Sequence, residues 1–196
     1  MTQRRPLLLA GSALALASVL PALTFAQTPA VAPNPSLAAL PAEVAAELPG
    51  AQWTGSARLR FFGFDVYDAQ LWVAPGFKAA QFARHGLALE LSYLRALSGR
   101  DIAERSLKEM RRAGELTDAQ SQRWLSALQD AIPDVKAGDR LTGLHSPAMG
   151  VRFWHNGQPR PAVRDPEFSR LFFGIWLAES TSEPQLRNDL LARAAS

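Results

Sequence analysis

The segment DPEFSRLFFGIWLAESTSEPQLR, residues 165–187, contains two helix starts around a dense apolar block. Asp165 can accept hydrogen bonds from the free N–H groups of a first turn, and Pro166 follows where a missing N–H costs nothing. The apolar side chains that come next recur at helical spacing. Ser182 and Gln185 have the spacing of a capping box, which predicts a second helix. The segment therefore predicts two helices whose ordinary role is to pack against a sheet.

The chain before this segment alternates blocks of strands with blocks of helices. Asn156 and Gly157 form a two-residue hairpin signal. Helix starts at Ser98 and Thr117 predict two helices, over about 99–112 and from 118 to just before Pro133. Period-two alternation predicts strands at about 53–62, 64–73, 87–93, 140–145, 151–155 and 159–163. This order predicts the α+β class, with an antiparallel sheet covered by helices.

The first 26 residues have the pattern of an export signal peptide. Arg4 and Arg5 precede an apolar run of about 14 residues, and small residues lead up to Gln27. The run is shorter than the roughly 20 residues that span a bilayer, so we expect no integral membrane segment after cleavage. The paired arginines are compatible with either the Sec or the twin-arginine route, and both predict a periplasmic protein.

Two further regions follow the predicted signal. Residues 27–49 are rich in proline and alanine and predict a tether, in which one short helical turn begins near Leu40. Residues 50–196 have the length and patterning of a single domain.

Composition excludes several classes of function. The chain has 21 basic and 18 acidic residues, and the predicted signal removes two arginines and no acids, which leaves 19 against 18. With basic and acidic residues so nearly equal in number, the sequence predicts no basic surface for nucleic-acid binding. The chain contains no cysteine, which excludes thiol catalysis and thiolate metal sites. His85, His145 and His155 are dispersed and show no metal-ligand spacing, and no nucleotide-binding motif occurs, so no metal, cofactor or catalytic residue is assigned.

Several segments together resemble the chalcone isomerase-like family, and in particular its exported bacterial branch. The resemblance spans about residues 50–191, and the order and spacing of its short motifs carry it. The motifs are GSAR (55–58), VYDAQLW (66–72), LSGRDI (97–102), GDRL (138–141), FFGIWL (172–177) and TSEPQLR (181–187).

The resemblance implies an open-faced β-sandwich, in which a curved antiparallel sheet is layered with helices. Between the two layers it implies a cleft for a small apolar or amphipathic ligand. The plant enzymes of this family close a chalcone into a flavanone, and related non-catalytic members bind fatty acids in the same cleft. Both uses need apolar walls and a cationic group for an oxyanion or a carboxylate.

The resemblance also assigns positions in the cleft. Arg58 matches the strand arginine of the family, and Arg105 replaces its helical lysine. Ile102 and Gly174 stand where the plant enzymes have hydroxyl groups, so the polar catalytic set is incomplete. The candidate ligand-binding residues are Arg58, Tyr67, Asp68, Ile102, Arg105, Glu109 and Gly174.

These residues favour binding of a fatty-acid-like or other amphipathic anion without the flavanone-forming activity. One alternative is an isomerase of the intramolecular-lyase type that acts on an enone, with Arg58 stabilising an enolate. Another is a periplasmic interaction protein whose cleft is filled by its own side chains. Two pairings compete with ligand binding: Arg58 with Asp68 across the strands, and Arg105 with Glu109 as a solvated i,i+4 pair.

Overall fold

The computed structural model describes residues 39–194, and its elements follow the predicted order. The predicted signal peptide and the first part of the predicted tether lie outside these residues. The elements are α1 (Ala42–Glu47), β1 (Gln52–Phe61), β2 (Phe64–Val73), a 3₁₀ segment (Ala79–Arg84), β3 (Leu87–Tyr93), α2 (Gly99–Ala113), α3 (Asp118–Ala131), β4 (Arg140–Ser146), β5 (Gly150–His155), β6 (Gln158–Val163), α4 (Pro166–Leu177) and α5 (Pro184–Leu190).

The six strands form one sheet in the order β1 to β6, and every neighbouring pair is antiparallel. The predicted α+β class is therefore confirmed. Asn156 and Gly157 both have positive φ (50° and 78°), as a two-residue turn between β5 and β6 requires. β6 is an edge strand, and it contains Pro159 and Pro161.

The helices α2 to α5 cover one face of the sheet, which we call the inner face. Because strand side chains alternate between faces, Tyr67, Ala69, Leu71 and Val73 of β2 all point toward these helices. They join a continuous apolar core with Phe172 and other residues of the helical layer. Burial of this core is the main contribution to the stability of the fold.

The opposite, outer face is covered by α1, which corrects the predicted boundary between tether and domain. The sequence places residues 27–49 in the tether, yet Val44 is fully buried and Leu48 is nearly so. Both pack on Trp72 and Trp154, two large apolar side chains of the outer face. Burying a Val or Leu side chain contributes about 1.5–3 kcal/mol. This contribution holds α1 on the sheet, so the folded part begins before residue 50.

The two terminal helices begin differently from each other. Asp165 caps α4 as predicted, because its Oδ1 accepts hydrogen bonds from the N–H groups of Glu167 and Phe168 at 3.0 and 3.1 Å. The predicted capping box at Ser182 is wrong. Pro184 is the first residue of α5, which places Glu183 at the cap and shifts the Ser182 spacing by one residue. Gln185 donates instead to Asp189 at 2.8 Å.

α5 ends directly against β1. Thr54 Oγ1 donates to the carbonyl oxygen of Leu190 at 2.9 Å, and Arg193 N–H donates to the carbonyl oxygen of Thr54. A Cβ atom on Gly55 would lie 2.1 Å from the carbonyl oxygen of Asp189. Glycine is therefore required at residue 55 by this close approach, and the C-terminal segment covers the β1 edge.

Candidate ligand-binding site

A cavity of about 380 Å³ lies between the inner face of the sheet and the helical layer. Its walls are mainly apolar, with Leu89 and Leu91 from β3, Ile102 from α2, and Phe172 and Trp176 from α4. The volume falls within the range of about 300–1,000 Å³ that is usual for small-molecule sites. The alternative in which the protein's own side chains fill the cleft predicts Phe172, Trp176 and Trp72 packed across it with no cavity, whereas a cavity is present and Trp72 lies on the outer face.

Two tyrosines contribute hydroxyl groups to the buried part of the cavity. Tyr67 and Tyr93 are directly opposite each other on β2 and β3, and their rings meet edge to face at 5.9 Å. Tyr67 Oη accepts a hydrogen bond from Trp176 Nε1 at 2.9 Å. The hydroxyl of Tyr93 makes no hydrogen bond to another residue of the described range; the residue is only 2% exposed, yet this oxygen is not one of the fully enclosed polar atoms that lack a partner. It therefore faces the cavity without a protein partner.

Both hydroxyl groups are neutral donors at ordinary pH. Burial raises the pKa of Tyr67, and burial together with the neighbouring Tyr67 raises the pKa of Tyr93. A phenol with a raised pKa stays protonated, so it can donate a hydrogen bond but is a poor base. The buried part of the cavity thus offers neutral O–H groups to a ligand.

Charged side chains line the more open part of the cavity. Arg105 pairs with Glu109 at 2.8 Å, and Glu109 also lies 3.7 Å from Arg112. Arg95 also lines the cavity, and its guanidinium group lies 5.1 Å from the centre of the Phe64 ring. Across residues 39–194, no acidic side chain lies within ion-pair distance of Arg95. Its charge is therefore available to a ligand.

Arg58 and Asp68 do not belong to this cavity, which corrects their assignment. They are opposite each other on β1 and β2, one residue away from the inward-facing pair Leu59 and Tyr67. Successive strand residues point to opposite faces, so Arg58 and Asp68 point to the outer face. Their predicted cross-strand pair is confirmed: Arg58 Nε lies 2.6 Å from Asp68, and Arg58 Nη1 lies 2.9 Å from Asp65.

Gly174 also lies outside the cavity. It faces the opposite side of α4, where a Cβ atom would contact Ala113 of α2 at 3.5 Å and Phe82 of the 3₁₀ segment at 3.9 Å. The assignment of residue 174 to the cleft is therefore wrong. From α4 the cavity is lined by Phe172, Phe173, Ile175 and Trp176, so Gly174 is the one residue of 172–176 that does not line it.

Four of the candidate residues do line the cavity, namely Tyr67, Ile102, Arg105 and Glu109. The predicted Arg105–Glu109 pair is present, although Glu109 is largely buried and the pair is not fully solvated. Sequence reasoning missed Tyr93 and Arg95. Their signal was available, because alternation along β3 puts Leu89, Leu91 and Tyr93 on one face and its continuation reaches Arg95.

Neither His145 nor His155 belongs to a metal site in the described residues. His145 Nδ1 lies 2.6 Å from Ser169 Oγ, and its Nε2 lies 3.0 Å from the carbonyl oxygen of Ala83. Burial lowers the pKa of His145, which favours the neutral ring. His145 and His155 pair with Val151 and Leu141 at opposite ends of the β4–β5 ladder, so they do not meet. Between residues 39 and 194, no cluster of three acidic or histidine side chains is placed to hold a metal ion.

Similarity to known proteins agrees with this architecture. Residues 48–192 match the profile of the family described as chalcone isomerase-like. An uncharacterized protein of Haemophilus influenzae is 29% identical over 150 residues, which are 76% of this chain and 72% of that protein. The crystal structure of the Arabidopsis thaliana fatty-acid binding protein AtFAP1 aligns with a TM-score of 0.57 and 13% identity, covering 73% of this chain and 87% of that chain. At that identity the likeness shows a shared fold.

Within the part of the chain that the structure covers, no helix is both long enough and apolar enough to cross a bilayer.

Proposed function

Because the chain belongs to the chalcone isomerase-like family, we propose that its domain binds a small amphipathic molecule of the fatty-acid-like kind in the cavity beneath α2 and α4. One observation carries the proposal: the buried Tyr93 hydroxyl faces this cavity without a hydrogen-bond partner in the described residues. This hydroxyl is open to the cavity rather than sealed in the core. A ligand oxygen can accept a hydrogen bond from it, and such a bond contributes about 0.5–1.5 kcal/mol.

The apolar walls supply the rest of the binding free energy. Each methylene group that moves from water into such a cavity contributes about 0.8 kcal/mol. An alkyl chain or a fused ring system therefore fits this site better than a strongly polar molecule does. The fatty-acid binding protein with the same fold supports a ligand of this kind.

Arg95 is the residue that we propose to receive an anionic head group. It follows Tyr93 by two residues, lines the same cavity and has no acidic partner among the described residues. Arg105 is a weaker candidate because Glu109 already neutralises it. Arg58 is engaged by two aspartates on the other face of the sheet. Tyr93 and Arg95 would then hold one head group together, as hydrogen-bond donor and as cation.

The isomerase alternative has less support than ligand binding. It relied on Arg58 to stabilise an enolate, and Arg58 does not reach the cavity. The cavity tyrosines stay protonated, so neither is suited to remove a proton from a phenolic substrate. We therefore propose binding without flavanone formation. We also propose the periplasm as its location, on the basis of the export signal predicted in residues 1–26.

Displacement of a neutral fluorescent probe, N-phenyl-1-naphthylamine, by dodecanoate tests the proposal. We expect dodecanoate to displace the probe, and Arg95→Gln to weaken dodecanoate by up to about fivefold, because an exposed ion pair contributes at most about 1 kcal/mol. Arg58→Gln is the matched control, since it removes an arginine from the outer face and should leave the affinity unchanged. Failure of the wild-type protein to bind the probe, together with ligand-free native mass spectra, would contradict ligand binding.

A further inference from the structure

The tip of the β1–β2 hairpin exposes three phenylalanines next to the cavity. Phe61, Phe62 and Phe64 are 45%, 85% and 62% exposed. The last pair between β2 and β3 is Tyr67 with Tyr93, so the tip extends past β3 along the sheet. Since Phe61 also lines the cavity, the exposed aromatic surface is continuous with the apolar cavity wall. Neither the core nor the proposed ligand contacts explain Phe62 and Phe64.

The backbone holds Phe62 outward at an energetic cost. Phe62 has a φ of 48° and Gly63 a φ of 80°, so both central residues of the two-residue turn have positive φ. Asn or Asp usually takes the first of these positions, because a bulky side chain is disfavoured there. The hairpin nevertheless presents a phenylalanine at its outermost point.

Ion pairs brace the outer face of the hairpin below this tip. Asp65 accepts hydrogen bonds from Arg58 at 2.9 Å and from Arg60 at 2.7 Å. Arg58 also forms an ion pair with Asp68 at 2.6 Å. These contacts join the two strands from side to side close to the turn. The aromatic tip is thus carried on a supported pair of strands rather than on a long loop.

Two cationic groups lie beside the aromatic rings. The guanidinium groups of Arg95 and Arg105 lie 5.1 and 5.2 Å from the ring centres of Phe64 and Phe61. An apolar tip flanked by arginines matches the layering of a bilayer surface, where hydrocarbon lies beneath anionic phosphate groups. Arg95, which has no acidic partner in the described residues, can contact phosphates while the rings enter the interface, whereas Arg105 is already paired with Glu109.

We propose that this hairpin tip docks on a phospholipid bilayer and inserts Phe62 and Phe64, so that an apolar ligand passes between the membrane and the cavity. The transfer step rests on the proposed ligand-binding function, whereas docking does not depend on it. A second copy of the chain is a poorer occupant. The three rings expose roughly 400 Å², about half of the ~800 Å² per partner that a stable protein interface buries. A bilayer needs no such area, because each inserted ring contributes separately.

Cosedimentation with vesicles of equimolar phosphatidylcholine and phosphatidylglycerol tests docking. The protein should begin at Gln27, after the predicted signal, so that the apolar run of that signal cannot itself bind the vesicles. We expect Phe62→Ser and Phe64→Ser each to weaken partitioning about tenfold, from the cost of withdrawing a phenylalanine from an apolar environment. Met149→Ser is the matched control, since Met149 is 63% exposed in the β4–β5 turn at the other end of the sheet and its loss should change nothing.

A second measurement separates docking from ligand binding. The double variant Phe62→Ser/Phe64→Ser should bind N-phenyl-1-naphthylamine from solution within about twofold of wild type, yet take it up from preloaded vesicles at least about tenfold more slowly. Equal partitioning of the double variant and wild type would overturn the proposal, as would a concentration-dependent dimer that Phe62→Ser dissociates in the absence of vesicle binding. Vesicle binding by a protein that binds no probe would support docking and contradict the proposed ligand-binding function.

Discussion

The substitution Tyr93→Phe should strengthen the ligand-free fold while it weakens ligand binding. It removes only the hydroxyl group, which is buried and has no hydrogen-bond partner in the described residues, and it keeps the ring and its edge-to-face contact with Tyr67. In the ligand-free protein this hydroxyl has no protein partner and faces only the cavity. In the proposed complex it donates to the ligand. One atom therefore has effects of opposite sign on the two measurements.

The expected magnitudes follow from the cost of burying an unpartnered hydroxyl. That cost is about 1–3 kcal/mol, and cavity water that still reaches the group brings it toward the low end. We expect the free energy of unfolding of the ligand-free protein to rise by about 1 kcal/mol, which corresponds to a Tm increase of about 2–4 °C for a chain of this size. Loss of one net hydrogen bond should weaken dodecanoate about fivefold.

Urea unfolding of ligand-free protein and probe displacement measure the two effects separately. Tyr67→Phe is the matched control, because Tyr67 Oη accepts from Trp176 Nε1. Its loss leaves that buried N–H without an acceptor and should lower the free energy of unfolding by about 1–3 kcal/mol. The reasoning is refuted if Tyr93→Phe destabilises the ligand-free protein by about 1 kcal/mol or more and leaves dodecanoate affinity unchanged, since the hydroxyl would then have a partner within the protein.

Three further predictions concern the fold. Gly55→Ala places a Cβ atom 2.1 Å from the carbonyl oxygen of Asp189, so we expect it to displace α5 and lower the free energy of unfolding by more than about 2 kcal/mol in urea titrations; an unchanged midpoint would contradict this close approach. Val44→Ala should cost about 2 kcal/mol in the same assay, whereas no cost would mean that α1 is not part of the folded domain. Burial alone would raise the pKa of Asp165, but hydrogen bonds from the Phe168 N–H and other donors outweigh it and lower that pKa. Because the folded-state pKa lies below the unfolded value, this carboxylate stabilises the protein above about pH 4 and loses its contribution as the pH falls through the lowered value. Asp165→Asn should therefore flatten the acid limb of stability against pH, and an unaltered acid limb would contradict the assigned role.

The sheet and the helix boundaries could be predicted because local signals agree with the tertiary structure. The β3 alternation gives the bounds Leu87–Tyr93 directly, and the start of α4 follows from Asp165 and Pro166. The position of α1 could not be obtained this way. Only the packing of Val44 on the outer face of the finished sheet, against residues distant in sequence, decides that the segment folds.

The site was harder to predict than the fold because single-residue offsets matter more there. Along a strand, a shift of one residue moves a side chain to the other face. The family resemblance assigns the cationic group of the cleft to Arg58. In the structure the residues on either side of it, Ala57 and Leu59, face inward, and Arg58 faces outward. The same sensitivity affects α4, where a helical rotation of two residues separates Gly174 from Trp176. Tyr93 and Arg95 have no distinguishing motif: alternation along β3 puts them on the inner face, but only the cavity shows that this end of the strand lines a site.

The two edges of the sheet have a consequence for association through backbone pairing. Pro159 and Pro161 lie two residues apart on β6, so both remove hydrogen-bond donors from the same side of that edge strand. At the other edge, the carbonyl oxygen of Thr54 already accepts from Arg193, and α5 lies against Gly55. The free edge of β6 therefore lacks donors at two positions, and the first part of β1 is occupied by the C-terminal segment. Both features hinder strand addition between copies, the common route to edge-to-edge aggregation.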